Sequence, residues 1–215
     1  MKKKIICFIP IKKKSERLKK KNFRILNKKP LYKHTIDKVI KIKDFDKIIV
    51  DTDSKEIQKY CVDRKISFIH RNKRLLKPKS NGNDLLKYWI SIEPNYDLYF
   101  QIHVTSPFVS LNSIKKSVKI LKAKNKFNSV FTATKEFSWY WFDKKPINFN
   151  KNILKRSQDL EPVIRDTTFL YGISKKEFLR KNSRIGSNPY IILLDRKESI
   201  DINDILDFKV AQNIK

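Results

Sequence analysis

The chain has 215 residues, enough for one domain with a substantial buried core. With 40% hydrophobic and 12% aromatic residues its composition is globular, which excludes a disordered or low-complexity protein. Its formal charge of +28 admits a polyanionic partner, but the lysines are scattered along the whole chain and mark no nucleic-acid recognition module.

In chain order, "KIICFIPI" (4–11) reads as a buried strand and "LYKHTIDKVIKI" (31–42) as a helix with apolar residues at helical spacing. "DKIIVDTD" is the next strand, followed by a helix that Ser54 is placed to cap. "ISFIH" is a short strand, "NDLLKYWISI" a helix, "YDLYFQIHV" a strand, "LNSIKKSVKILKAK" (111–124) an amphipathic helix and "FNSVFTATKE" a strand. From Phe137 the pattern changes to an aromatic, turn-rich excursion, "FSWYWFDKKPINFNKN". The chain then resumes with a strand at "TFLYGIS", a helix from Lys175, a strand at "YIILLD" and a closing helix from Asn203. Alternation of strands and helices predicts a mainly parallel sheet covered on both faces, in a single α/β domain over residues 1–215.

Neither Cys7 nor Cys61 has metal or redox spacing, so both are expected as buried free thiols in a reducing compartment. No stretch approaches the roughly 20 apolar residues of a membrane span. The basic opening "MKKKIICFIPIKKK" has the order of a secretory leader, but its apolar centre is short, contains Pro10 and lacks a small-residue cleavage site. A cytoplasmic protein is expected, with no membrane partner and no specific nucleic acid.

In open parallel sheets, ligands bind beyond the carboxyl ends of the strands, where loops and helix N-termini present N–H groups to anions. That rule selects the loop Lys12–Asn22, "DTDS" (51–54), "HVTSP" (103–107) and the late "SIDIND" (199–204). Each has an alternative task as a turn or helix cap. "DTD" is formally an Asp-x-Asp metal motif, and Asp51 with Asp53 keeps open a glycosyltransferase that consumes a nucleotide sugar.

The ordered blocks "IPIKKKSERLKKKN", "LNKKPLYKHTI", "IIVDTDSKEI", "HVTSPF", "RSQDLEPV", "NSRIGSNPY" and "ESIDINDILDF" resemble the acylneuraminate cytidylyltransferases, and they span nearly the whole chain. That resemblance implies a Rossmann-like three-layer α/β/α nucleotidyltransferase fold. It implies a reaction in which the anomeric hydroxyl of an acidic keto-deoxy sugar attacks the α-phosphate of CTP and releases pyrophosphate, with Mg2+ as cofactor. Lys12, Ser15, Arg17, Lys21 and Asn22 then fall on the triphosphate loop, and Arg71, Ser80 and Asn81 near the base pocket. His103, Thr105, Ser106, Arg156, Gln158 and Arg165 fall on the sugar side, where Arg156 or Arg165 would pair with the substrate carboxylate. Asp201 and Asn203 fall on the metal positions, and Lys21, Arg17 and Asp201 are the residues expected to carry the chemistry. Residues 137–165 are implied to be an arm exchanged across a homodimer.

Four positions depart from the family pattern, one of them Lys14, which stands where the family has Gly. Lys12 stands where the family has Arg, Glu16 where it has Lys, and Asn203 where a second aspartate is usual. A carboxylate aimed at a triphosphate in a dry site would repel it, so either Glu16 turns to solvent and Lys13 or Lys14 substitutes, or activity is weak or altered, down to an inactive nucleotide-binding relic.

Overall fold

The computed structural model describes residues 3–123, 126–153 and 155–214. Lys124, at the end of the fourth expected helix, and Leu154, inside the excursion, lie outside the described residues. The strands run β1 (Ile5–Ile11), β2 (Ile25–Leu26), β3 (Lys29–Pro30), β4 (Lys47–Thr52), β5 (Ser67–His70), β6 (Leu98–Ile102), β7 (Ser129–Glu136), β8 (Trp141–Phe142), β9 (Lys145–Pro146), β10 (Val163–Ser174) and β11 (Pro189–Leu193). The helices are α1 (Leu31–Val39), α2 (Lys55–Asp63), α3 (Gly82–Ile92), α4 (Leu111–Lys122), α5 (Lys175–Lys181) and α6 (Ile205–Gln212).

Seven strands form one sheet in the order β11-β7-β10-β6-β1-β4-β5. β1 lies parallel to both β4 and β6, β4 to β5, and β7 to β11. β10 is antiparallel to both of its neighbours, a departure from the expected parallel run. The reason is the connection: β7 reaches β10 through the 137–162 excursion, which among its described residues holds no crossover α-helix to return the chain to the starting edge.

The strand residues alternate faces, as the period of two requires. From β1, Ile5, Cys7, Ile9 and Ile11 join one apolar layer with α1, α2 and α4, while Ile6 and Phe8 join a second layer with α3 and Phe178 of α5. In that second layer Phe8 and Trp89 stack with ring centroids 4.6 Å apart. Cys7 and Cys61 are both buried free thiols, as expected. A third, smaller apolar cluster unites Leu18, Leu26, Leu31, Ile202, Phe208 and Ala211. It draws the loop after β1 against the segment before α6, and so assembles the site.

Two tight hairpins lack the glycines such turns favour. Asn27–Lys28 joins β2 to β3 and Asp143–Lys144 joins β8 to β9, and all four residues have positive φ. The second hairpin presents Trp141 and Phe142 to solvent, with Trp141 edge-on to Phe149 at 5.2 Å. No described helix is long and apolar enough to cross a membrane.

Candidate active site

Helix capping decides which polar residues remain available for chemistry. α6 is capped by Asp204, whose side chain accepts from the N–H groups of Leu206 and Asp207. α4 is capped by Ser110 and α2 by Ser54. Asp201, Asn203, Thr105 and Ser106 are therefore not consumed as caps.

The loop after β1 closes on a 3-10 turn, Lys21–Phe23, where the buried Asn22 amide donates to the Lys12 carbonyl at 2.9 Å. With Leu18 and Ile202 sharing one apolar cluster, the polar residues beside them meet. Lys21 Nζ donates to the Ile202 carbonyl at 2.9 Å, and Arg17 Nη2 donates to Asn203 Oδ1 at 2.6 Å. Asn203 Nδ2 donates to Asp201 Oδ2 at 2.8 Å, and Ser106 Oγ lies 3.4 Å from Asp201 Oδ1. Lys21 and Asp201, 180 positions apart, thus occupy one place.

Two cavities meet there. The first, about 340 Å³, is lined by Lys12, Ser15, Arg17, Lys21, Asn22, Arg71, Ser80, Asn81, His103 and Thr105. The second, about 1300 Å³, is lined by Asp201, Arg165, Asp166, Thr168 and Arg196 among others. Arg17 and Asn203 border both. Ser106 sits behind the surface, facing Asp201. Arg156 and Gln158 line neither cavity, and Arg156 is exposed and paired with Asp159 at 2.7 Å, so of the two sugar-side arginines only Arg165 faces the space beside Asp201.

Burial lowers the Lys21 pKa, with the Asp201 carboxylate opposing that shift and Arg17 adding to it. Burial, with Arg184, Arg71 and Lys21 nearby, pushes His103 down to about 3, so the imidazole is neutral at physiological pH. Its Nε2 is buried without a hydrogen-bond partner among the described residues. Glu16 is exposed and lines the smaller cavity together with Lys12, Lys14 and Ser15.

Arg71 is 1% exposed and held by Asp51, from Nε to Oδ1 at 2.7 Å and from Nη2 to the Asp51 carbonyl at 2.9 Å. The other Asp51 oxygen accepts from Trp89 Nε1 at 2.7 Å. Asp53 Oδ1 accepts from the Lys13 N–H at 2.6 Å, fastening the cationic loop to β4. The Asp51–Asp53 pair is thus committed to scaffolding, and the nucleotide-sugar glycosyltransferase reading loses its metal motif.

Sequence reasoning did not single out Asp166, Thr168, Gln101 or Arg184. The Arg184 guanidinium lies 3.6 Å over the Tyr171 ring and donates to Gln101 Oε1 at 3.3 Å. It also passes close to Gly82, where an added Cβ would meet Arg184 Nη1 at 2.1 Å and the guanidinium would have to move. Nothing in the periodicity around Arg184 signalled an inward-facing arginine.

Asp201 supplies one carboxylate and Asn203 one neutral oxygen, and among the described residues no group of three His, Cys, Asp or Glu forms a self-sufficient metal site. Such a donor set fits a hard divalent cation that takes few protein ligands and completes its shell with water and phosphate oxygens.

Known proteins similar to this chain form a coherent set. The N-acylneuraminate cytidylyltransferase of Escherichia coli O18:K1:H7 is 26% identical over 100% of this chain, which covers 53% of that protein. The same-named protein of Streptococcus agalactiae serotype V is 29% identical over 94% of this chain and 51% of its own length. The chain thus spans about half the length of the first curated relatives it matches. The CMP-N,N'-diacetyllegionaminic acid synthase of Legionella pneumophila is 28% identical, covering 98% of this chain and 95% of that one. Among solved structures, a CMP:2-keto-3-deoxy-manno-octonic acid synthetase complexed with CTP shares the fold, with TM-score 0.70, 12% identity and 97% of each chain covered. A family model described as cytidylyltransferase matches residues 6–186. That span is most of the chain, from β1 to beyond α5, and on this ground the chain belongs to the cytidylyltransferase family.

Proposed function

We propose that the protein activates a sialic-acid-like keto-deoxy sugar acid with CTP, forming the CMP-sugar and pyrophosphate. The observation that carries this reading is the meeting of Lys21, Arg17 and Asp201 at the junction of the two cavities. A nucleotide seated in the smaller cavity would have its triphosphate against Lys12, Ser15, Arg17, Lys21 and Asn22, and its base toward Arg71, Ser80 and Asn81. The α-phosphorus would then lie at the junction, open to an acceptor in the larger cavity.

In the reaction, the anomeric oxygen bonds to the α-phosphorus, the bond to the bridging oxygen of pyrophosphate breaks, and the anomeric proton is lost. Such transfers ask the protein chiefly to position the reactants and to neutralise charge. Lys21 is buried enough to be desolvated, yet the neighbouring Asp201 carboxylate favours its cationic form, as stabilising a phosphate oxygen requires. Mg2+ held by Asp201 and the Asn203 carbonyl would share the charge of the phosphate oxygens. Arg165, paired with Glu136 in this structure, is the cation placed to receive the sugar carboxylate.

We further propose a cytoplasmic homodimer joined through the 137–165 arm, with no nucleic-acid partner. Phe137, Trp139, Trp141 and Phe142 are 51%, 43%, 54% and 76% exposed, an apolar display that a monomer rarely leaves uncovered.

The test is pyrophosphate release with Mg2+ across a panel of acids (N-acetylneuraminate, legionaminate, pseudaminate and a keto-deoxy-octulosonate) and each of the four nucleoside triphosphates. Activity is expected with CTP and one class of acid. Folded protein that releases no pyrophosphate with any combination would reject the enzyme.

A further inference from the structure

β10 is interrupted beside the larger cavity. Against β7 its register jumps from Asp166 opposite Ala133 to Tyr171 opposite Phe131, so that four residues, 167–170, lie across from Thr132 alone. Thr132 satisfies the displaced groups: Thr167 Oγ1 donates to the Thr132 carbonyl at 2.9 Å, and Leu170 N–H donates to Thr132 Oγ1 at 3.1 Å. Thr168 stands at the apex with φ 54°, the left-handed region that a β-branched residue strongly disfavours. It is exposed, so apolar burial does not hold it there.

What holds it is Asp166. Asp166 Oδ1 accepts from the Thr168 N–H at 2.7 Å, and Oδ2 is fixed by the Tyr171 hydroxyl at 2.8 Å. The Tyr171 ring is in turn covered by the Arg184 guanidinium. The consequence is directional. Thr168 Oγ1 points to Asp201 Oδ2 at 3.5 Å, on the carboxylate edge that also takes the Asn203 amide, and Asp166 and Thr168 both line the larger cavity. Bulges recur where a strand must re-aim one side chain, and strained residues persist where the surroundings over-determine them.

We propose that the β10 bulge is a positioning element of the active site, in which Asp166 locks Thr168 in a left-handed conformation so that the Thr168 hydroxyl orients the Asp201 carboxylate toward the junction of the two cavities. This rests on the reading of Asp201 under the proposed function. Thr168 is a positioning residue acting through Asp201, with Asp166 and Tyr171 as its support. Serine at 168 would serve the same purpose with less steric conflict. Alanine would keep the conflict and lose the hydroxyl, and glycine would lose both.

The experiment compares Thr168→Ser, Thr168→Ala and Thr168→Gly in the full chain. Thr168→Ala is expected to lower kcat by about tenfold with KM for CTP within about twofold, and Thr168→Ser to restore most of the loss. In denaturant unfolding, Thr168→Gly is expected to have a higher midpoint than Thr168→Ala, because glycine adopts positive φ freely. An alanine variant as active as the parent, a serine variant no better than alanine, or a glycine variant less stable than alanine would each overturn the proposal. Should the parent protein release no pyrophosphate, the proposed function fails separately. The bulge is then judged by titrating Mn2+ with CTP: weaker binding in the alanine variant than in the serine variant supports it, and equal binding overturns it.

Discussion

Arg17 and Asn203, separated by 186 positions in the chain, are joined by a 2.6 Å hydrogen bond from the Arg17 guanidinium to the Asn203 side-chain oxygen. The Asn203 amide then donates to Asp201, so this asparagine relays between a cation and a carboxylate. A relay of this polarity leaves its oxygen occupied and a positive charge beside it, both unfavourable to a divalent cation arriving alone. A triphosphate competing for Arg17 would release that oxygen, so the cation is expected to enter with the nucleotide.

Asn203→Asp is therefore expected to strengthen Mn2+ binding in the absence of nucleotide by about fivefold or more, because a second carboxylate replaces a neutral oxygen. Titration of the folded variant against the parent, followed by the Mn2+ resonance signal, decides the matter. Equal affinity in the two proteins would show that the position is not a ligand position.

Glu16 lines the smaller cavity and is exposed, so solvent and salt reach its charge. Glu16→Lys is expected to raise kcat/KM for CTP by only about two- to fivefold at low salt, and the gain should vanish near 0.5 M salt. A gain of two orders of magnitude that survives salt would mean that Glu16 points at the triphosphate and cripples the loop.

The exposed hairpin offers a test of assembly. Its Trp141 and Phe142 side chains are 54% and 76% exposed, an apolar display that a monomer rarely leaves uncovered. The double variant Trp141→Ser, Phe142→Ser should keep the fold, since neither ring belongs to the core clusters, yet run as a monomer in light scattering where the parent runs as a dimer. A parent protein that is monomeric at high concentration would refute the dimer directly.

The elements most legible in the sequence were those governed by local periodicity. The alternation of Ile5, Cys7, Ile9 and Ile11 against Ile6 and Phe8 announces a strand buried on both faces, and the β1 reading needed almost no revision. The first helix was read through Ile42 but stops at Val39, because the apolar pattern continues past the last regular turn and Ile42 is buried from a loop. The cationic loop and the 201–203 segment were legible as ordered blocks of a family resemblance. That resemblance also implied that they meet, but not by what means: Leu18 and Ile202 pack against Phe208 across the whole chain. The β10 bulge was invisible for a similar reason: "TFLYGIS" (168–174) reads as a plain strand, while β10 starts at Val163, and only pairing against Thr132 shows that four residues bulge out of register. Arg156 was the first choice for the sugar carboxylate and Arg165 the second, an order that the cavity lining reverses, because residue type and order say nothing about which side chain turns toward a cavity.

His103 supplies a prediction about pH. Its pKa is pushed down to about 3 by burial and by the cations around it, far below the ordinary imidazole value of the unfolded chain. Because the folded protein keeps the ring neutral, the unfolded chain binds the extra proton once the pH falls below the unfolded value. The stabilising contribution is thus complete above about pH 6.5 and is lost as the pH drops toward 3, at up to roughly 1.4 kcal/mol per pH unit for this one group. His103→Gln cannot titrate and fills a similar volume with a polar group. Denaturant unfolding of the two proteins between pH 7 and 4 should show a shallower loss of stability in the variant. Parallel curves would mean that the imidazole is protonated in the fold, and that the cations facing it, Arg184, Arg71 and Lys21, do not exclude its charge.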